Sequence, residues 1–199
     1  MSSGTRLTAV AGGIGTGKSV ISGMLRAMGY QVYDCDSRAK AIMESSDEIR
    51  HRIAAEVSAD AVDETGAVNR KRLSEIVFAD DEALKRLNSI VHKAVLDDIE
   101  RWRLALDSEI GRAWVESAII YESGIDQIVD CVWQVEAPVE LRIERVMRRN
   151  GLPAEAVRQR IEAQSVPHGK SLHKNVHQII NDGVEPVLPQ LLALLERGK

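Results

Sequence analysis

Gly12-Gly13-Ile14-Gly15-Thr16-Gly17-Lys18-Ser19 fits the pattern G-x-x-x-x-G-K-[ST] at every fixed position, and the fold follows from how this stretch is read. Average residue usage would bring the four fixed positions together by chance in about one chain per hundred of this length. The flanks narrow the choice. Residues 6–11 (RLTAVA) are short and apolar and stop at the glycines, as a buried parallel strand does. Residues 17–28 carry Val20, Ile21, Met24, Leu25 and Met28 at helical spacing, and Gly29 ends the run. Residues 31–35 (QVYDC) then read as a second strand. Strand, glycine loop, helix, strand is a βαβ unit. In such a loop the glycines let backbone amides close on an anion, and the helix adds its positive end. Gly13, Ile14, Gly15, Thr16, Gly17, Lys18, Ser19 and Val20 are therefore the expected ATP contacts. Lys18 reaches the β- and γ-phosphates, and the Ser19 hydroxyl serves as the Mg²⁺ ligand. Val20 stands where many such loops carry a second hydroxyl.

Beyond this unit, residues 37–108 show little strand signal and read as helices near 37–45, 47–57, 70–78 and 81–106, with a turn at 62–69 (VDETGAVN). Strands are expected at 113–120, 129–135 and 176–180, and helices at 139–149, 154–164 and 185–197. Residues 165–175 are polar and irregular. The fold class is α/β: a P-loop three-layer sandwich on a central parallel β-sheet. The helical block about 37–108 is a candidate substrate-binding insertion within one domain spanning 1–199.

Three groups of residues bear on chemistry. Asp34 and Asp36 flank Cys35 at the carboxyl end of the second strand, where ligands bind in open α/β sheets. On a strand, that spacing puts both carboxylates on one face. They suit proton acceptance from an attacking hydroxyl or the Mg²⁺ shell; the alternative is a helix cap ahead of residue 37. Arg142, Arg145, Arg148 and Arg149 recur at helical spacing ahead of the polar stretch, with Arg158 and Arg160 beyond. They suit a lid over about 142–175 that presents guanidinium groups to a transferring phosphate; a solvated helix face is the alternative. Glu116 and Glu122 bracket the end of the third strand, placed for Mg²⁺ through water, a substrate hydroxyl or an ordinary salt bridge.

The totals set limits. With 26 basic against 30 acidic residues the net charge is −4, so no general basic surface for nucleic acid is expected. No run approaches the ~18 apolar residues of a membrane span, and the N-terminus lacks a signal-type apolar segment. Cys35 and Cys131 read as reduced core thiols of a cytoplasmic protein. Aromatics make up only 4% of the chain, which leaves Val, Ile, Leu, Ala and Met to build the core. A monomer or weak homo-oligomer is expected. The spacing of His168, His173 and His177 matches no zinc pattern.

The ordered set AGGIGTGKS (11–19), VYDCD (32–36), the stretch 69–92 with Arg70, Leu73, Phe78, Leu87, Asn88 and His92, ESAIIYESG (116–124), ELRIERVMRRN (140–150), and Arg160 with Gln164 resembles the dephospho-CoA kinase family. The resemblance implies an adenylate-kinase-like fold with a core, a helical substrate domain and a lid. It implies transfer of the ATP γ-phosphoryl group to the ribose 3′-hydroxyl of dephospho-CoA. By motif position it makes Asp36 the catalytic base and Lys18 a phosphate contact. It also makes Arg145, catalytic as well, and Arg149 ATP contacts, and Arg70 and His92 substrate contacts, beside Asp34 and Glu122. The chain departs from the family pattern at Asn69, Lys93, Ala118 and Val176-His177. Without the resemblance, the residues alone leave open a kinase for another small alcohol or nucleotide, or an ATP-dependent switch.

Overall fold

The structure, a computed structural model, describes residues 4–107, 109–164 and 173–197. Its elements run β1 (Arg6–Ala11), α1 (Lys18–Ala27), β2 (Val32–Asp34), α2 (Cys35–Ser45) and α3 (Asp47–Arg52), followed by a wide turn at Ile53–Val57. Then come α4 (Arg70–Ala79), α5 (Asp81–Ala105), β3 (Arg112–Ser117), α6 (Ile120–Ser123) and β4 (Cys131–Glu136). The chain ends with α7 (Val139–Asn150), α8 (Ala154–Ala163), β5 (Val176–Ile180) and α9 (Val187–Arg197).

The five strands form one sheet in the order β2-β3-β1-β4-β5. β1 lies parallel between β3 and β4, and β4 lies parallel to β5. The apolar run of β1 follows from this central place: from Leu7 on, every residue of it is buried. On one face Val10, Trp114, Trp133, Val135 and Ile179 meet Ile21 and Leu25 of α1 and Leu191 and Leu195 of α9.

Among the described residues Val, Ile, Leu and Ala make up most of the buried core, as expected from composition, but Met does not join them and aromatics do. Trp114 is fully buried, with its ring 4.6 Å from that of Tyr30 and 5.7 Å from that of Trp133. Few aromatics still fill much space, because each buries a large area. Met28 and Met147 lie exposed instead.

Two compact units emerge: residues 1–33 with 106–199, and residues 34–105. The second has its own core of Ile49, Ile53, Ala61, Leu73 and Ile90. Within it, Arg38 of α2 reaches the buried Asp98 of α5 through Nε at 2.9 Å and a terminal nitrogen at 2.6 Å. Arg101 donates to the other Asp98 oxygen at 3.2 Å. The turn at 62–69 forms around Asp63, whose carboxylate accepts from the Thr65 and Ala67 amides, and a Val62–Val68 bridge closes it.

Both cysteines are free and buried. Among the described residues no helix is long and apolar enough to cross a membrane. The expected polar stretch 165–175 lies outside the described residues except for its last three positions.

Candidate active site

The glycine loop occupies residues 12–17, between β1 and α1. Gly17 precedes the helix with φ 97°, a conformation that glycine adopts freely. A side chain there would also run into the Asn181 amide. Gly12, at φ 145°, leaves no room for a Cβ: the Val135 carbonyl oxygen would stand 2.5 Å away and Thr16 Oγ1 2.7 Å away. No side chain caps α1, and its first turn holds no acid. By contrast α2, α3 and α4 are capped by Asp34, Ser46 and Asn69. The positive end of α1 thus has no side-chain cap.

Cations surround the loop. Lys18 Nζ donates to the Gly13 carbonyl at 3.3 Å. Arg142 Nε donates to the Ile14 carbonyl at 2.9 Å, and its guanidinium lies against Gly13. Burial pushes the Arg142 guanidinium down from its usual pKa, yet it keeps its charge at neutral pH. Arg145 donates to the Gly15 carbonyl at 3.4 Å and to the Asn181 carbonyl at 3.1 Å. Asn181 in turn donates from Nδ2 to the Thr16 carbonyl at 2.8 Å and accepts from Arg145 at 3.2 Å. The Ile14 side chain packs on Ile143, Val146, Val157 and Ile161, which ties the α7–α8 hairpin to the loop. Gln164, just past α8, accepts the Ile14 amide on Oε1 at 2.6 Å. An oxygen acceptor therefore already sits on an amide of this loop.

Lys18, Ser19, Arg145 and Glu122 belong to the same unit as the loop. Ser19 is exposed at the start of α1, and Val20 is also exposed. Glu122 falls in the short helix α6, because β3 stops at Ser117 and does not continue to 120. There it lines a small cavity of about 30 Å³ with Gly12, Gly13, Tyr121 and Gln164. Arg149 is exposed and donates to the neighbouring Asn150 at 2.7 Å. Arg148 faces Glu144 at 3.7 Å.

Asp34, Asp36, Arg70 and His92 belong to the helical unit. The expectation that Asp34 and Asp36 share a strand face is corrected. β2 ends at Asp34, whose carboxylate accepts the Ser37 amide at 3.1 Å and its hydroxyl at 2.9 Å. That bond starts α2 at Cys35, so Asp36 is an exposed residue in the first helical turn. Asp34 is thus engaged as a cap. Arg70 opens α4 and pairs with Glu44 at 2.5 Å, and His92 is half-buried on α5.

Sequence reasoning missed Asn181 and did not single out Arg142 or Gln164 for contact with the loop. Asn181 had a usable signal: it directly follows β5, at the carboxyl edge of the sheet.

Known proteins resemble this chain over most of its length. A family model described as dephospho-CoA kinase matches residues 6–185. A dephospho-CoA kinase of Porphyromonas gingivalis is 35% identical over 187 residues, which is 94% of this chain and 91% of that protein. One of Geobacillus kaustophilus is 33% identical over 190 residues, 94% of each chain. A crystal structure from Thermus thermophilus superposes with a TM-score of 0.77 at 30% identity, covering 98% of this chain and 96% of the other.

Proposed function

Because this chain belongs to the dephospho-CoA kinase family, we propose that its loop 12–19 holds the triphosphate of ATP and that Asp36 takes the proton of the ribose 3′-hydroxyl of dephospho-CoA. The overall reaction is ATP-dependent phosphorylation of dephospho-CoA, a step of CoA biosynthesis. The observation that carries the assignment of the loop is the Ile14 amide bonded to an oxygen acceptor at 2.6 Å, beside Lys18, Arg142 and Arg145. Three cations and an uncapped helix end around one amide cradle suit a polyphosphate.

The residues divide the work. The amides of 13–19 and Lys18 hold the β- and γ-phosphates in line for transfer. Arg145, oriented by Asn181, offsets charge that builds on the transferring group. Asp36 orients the acceptor hydroxyl; as its oxygen bonds to the γ-phosphorus, the bond to ADP breaks and the proton passes to the carboxylate. Arg70, His92 and the rest of the helical unit receive dephospho-CoA, and the lid expected over about 142–175, of which 165–172 lie outside the described residues, excludes water. Arg149 joins the ATP contacts on closure, and Glu122 orients the acceptor.

Among the described residues no cluster of three or more His, Cys, Asp or Glu could hold a metal alone. That suits Mg²⁺, which usually arrives with nucleotide phosphates and keeps several waters. The exposed Ser19 hydroxyl fits as its one loop ligand, and the ion would supply neutralising charge on the β- and γ-oxygens.

The test is ADP release measured with and without dephospho-CoA. Release should depend on the acceptor and yield a 3′-phosphorylated product by phosphorus NMR. Asp36→Asn should lower kcat by about 10²–10⁴ and leave the ATP dissociation constant within about threefold. Normal turnover in that variant would remove Asp36 from the role, and ADP release indifferent to dephospho-CoA would remove the acceptor.

A further inference from the structure

At the end of the sheet away from the glycine loop, three arginines and a histidine meet around one cavity. β1 opens with Arg6 and β3 with Arg112, and the two are register partners on adjacent strands. Like charges in that relation destabilise a sheet unless something offsets them. Arg197, in the last turn of α9, and His177 of β5 complete the ring around a cavity of about 110 Å³, with Thr8 and Cys131 also in its wall. Among the described residues no acidic side chain lines it. The ion pairs among the described residues include none of the three arginines. Asp130, next to Cys131 in the chain, has a carboxylate oxygen occupied by the Leu7 amide at 2.8 Å.

The cluster is also held in place. Arg112 donates to the Leu195 carbonyl at 2.8 Å, and its guanidinium carbon lies 5.5 Å from the Trp114 ring centre. Burial pushes the Cys131 thiol up in pKa; of the charges near it, Arg6 and Arg112 pull it down and Asp130 pushes it up. Its volume is well below the ~300 Å³ of a drug-sized pocket, which suits a small ion better than a nucleotide. Six residues of β1, at about 3.3 Å each, put it about 20 Å from the glycine loop.

We propose that Arg6, Arg112, Arg197 and His177 form a binding site for a tetrahedral oxyanion, either inorganic phosphate or the phosphoryl group of a small phosphomonoester, separate from the nucleotide loop. Guanidinium forks match the oxygens of such an anion, and its charge relieves the repulsion between the paired arginines.

Isothermal titration with sodium phosphate, at ionic strength matched by chloride, tests this. The nucleotide loop also attracts phosphate, so the titration is repeated on Lys18→Ala and on Arg6→Gln/Arg197→Gln. Saturable binding should persist in Lys18→Ala and weaken about tenfold or more in the double arginine variant, whose kinase turnover stays unchanged. Should that variant fail to fold, Arg197→Gln alone, at an exposed position, should weaken binding about threefold. Glycerol 3-phosphate separates the sources: affinity equal to that of phosphate assigns the site to phosphomonoesters, and phosphate binding alone assigns it to the free ion. Binding lost in Lys18→Ala but intact in the arginine variants, or no saturable binding to either ligand, overturns the proposal.

Discussion

Gln164 holds the Ile14 amide at 2.6 Å, so this one amide of the loop has a partner before any nucleotide arrives. A buried or half-buried amide left without a partner costs about 1–3 kcal/mol, so a side-chain oxygen that supplies one stabilises the empty loop. A phosphate must then displace it, and the exchange subtracts from nucleotide affinity. Gln164→Ala should tighten ATP binding by about three- to tenfold, roughly 1 kcal/mol, as read by calorimetry. A weaker ATP complex in that variant would show that the amide group of Gln164 contacts the nucleotide and does not compete with it. At this scale the sequence was uneven. Gly12, Gly17, Lys18 and Ser19 were legible because their spacing is fixed by phosphate geometry. Asn181 and Gln164 were not, because each reaches the loop across more than a hundred residues, and a contact between distant positions leaves no local period to read.

Elements were easier to read than the junctions between them. The strand at 6–11, the helix at 154–164 and the strand at 176–180 fall within a residue of expectation, since apolar periodicity decides them. The end of β2 differed because Asp34 can cap a helix as well as end a strand, and the Ser37 amide decided for the cap. That choice moved Asp36 from a strand face to the first turn of α2. The same helix carries Arg38, which joins α2 to α5 through Asp98 inside the helical unit. Asp98 is only 10% exposed in its side chain, whereas Arg38 is 49% exposed. Removing the carboxylate therefore leaves an arginine that water can still reach, and the cost stays below that of a fully buried pair. Asp98→Ala should destabilise the protein by about 1–3 kcal/mol, lowering Tm by roughly 3–10 °C. Asp98→Asn, which keeps one acceptor, should cost about half as much. An unchanged Tm in both variants would mean that the α2–α5 packing does not depend on this pair.

Separate hydrophobic clusters on the sheet and among α2 to α5 give each unit a core of its own. The sequence showed this division as a long gap in strand signal, but it could not show that the gap closes on a hydrophobic cluster of its own. If ATP belongs to the first unit and dephospho-CoA to the second, the two ligands should leave different footprints. ATP should slow amide exchange in residues 12–27, and dephospho-CoA should slow it within 35–105. Each ligand at a hundred times its dissociation constant adds about 2.7 kcal/mol, or roughly 5–10 °C in Tm for a chain of this size. Lys18→Ala should abolish the shift from ATP and keep the shift from dephospho-CoA, since Lys18 Nζ reaches the loop at the Gly13 carbonyl. Protection by dephospho-CoA confined to residues outside 35–105 would contradict the assignment of the helical unit, because a ligand that orders a segment must lower its opening frequency.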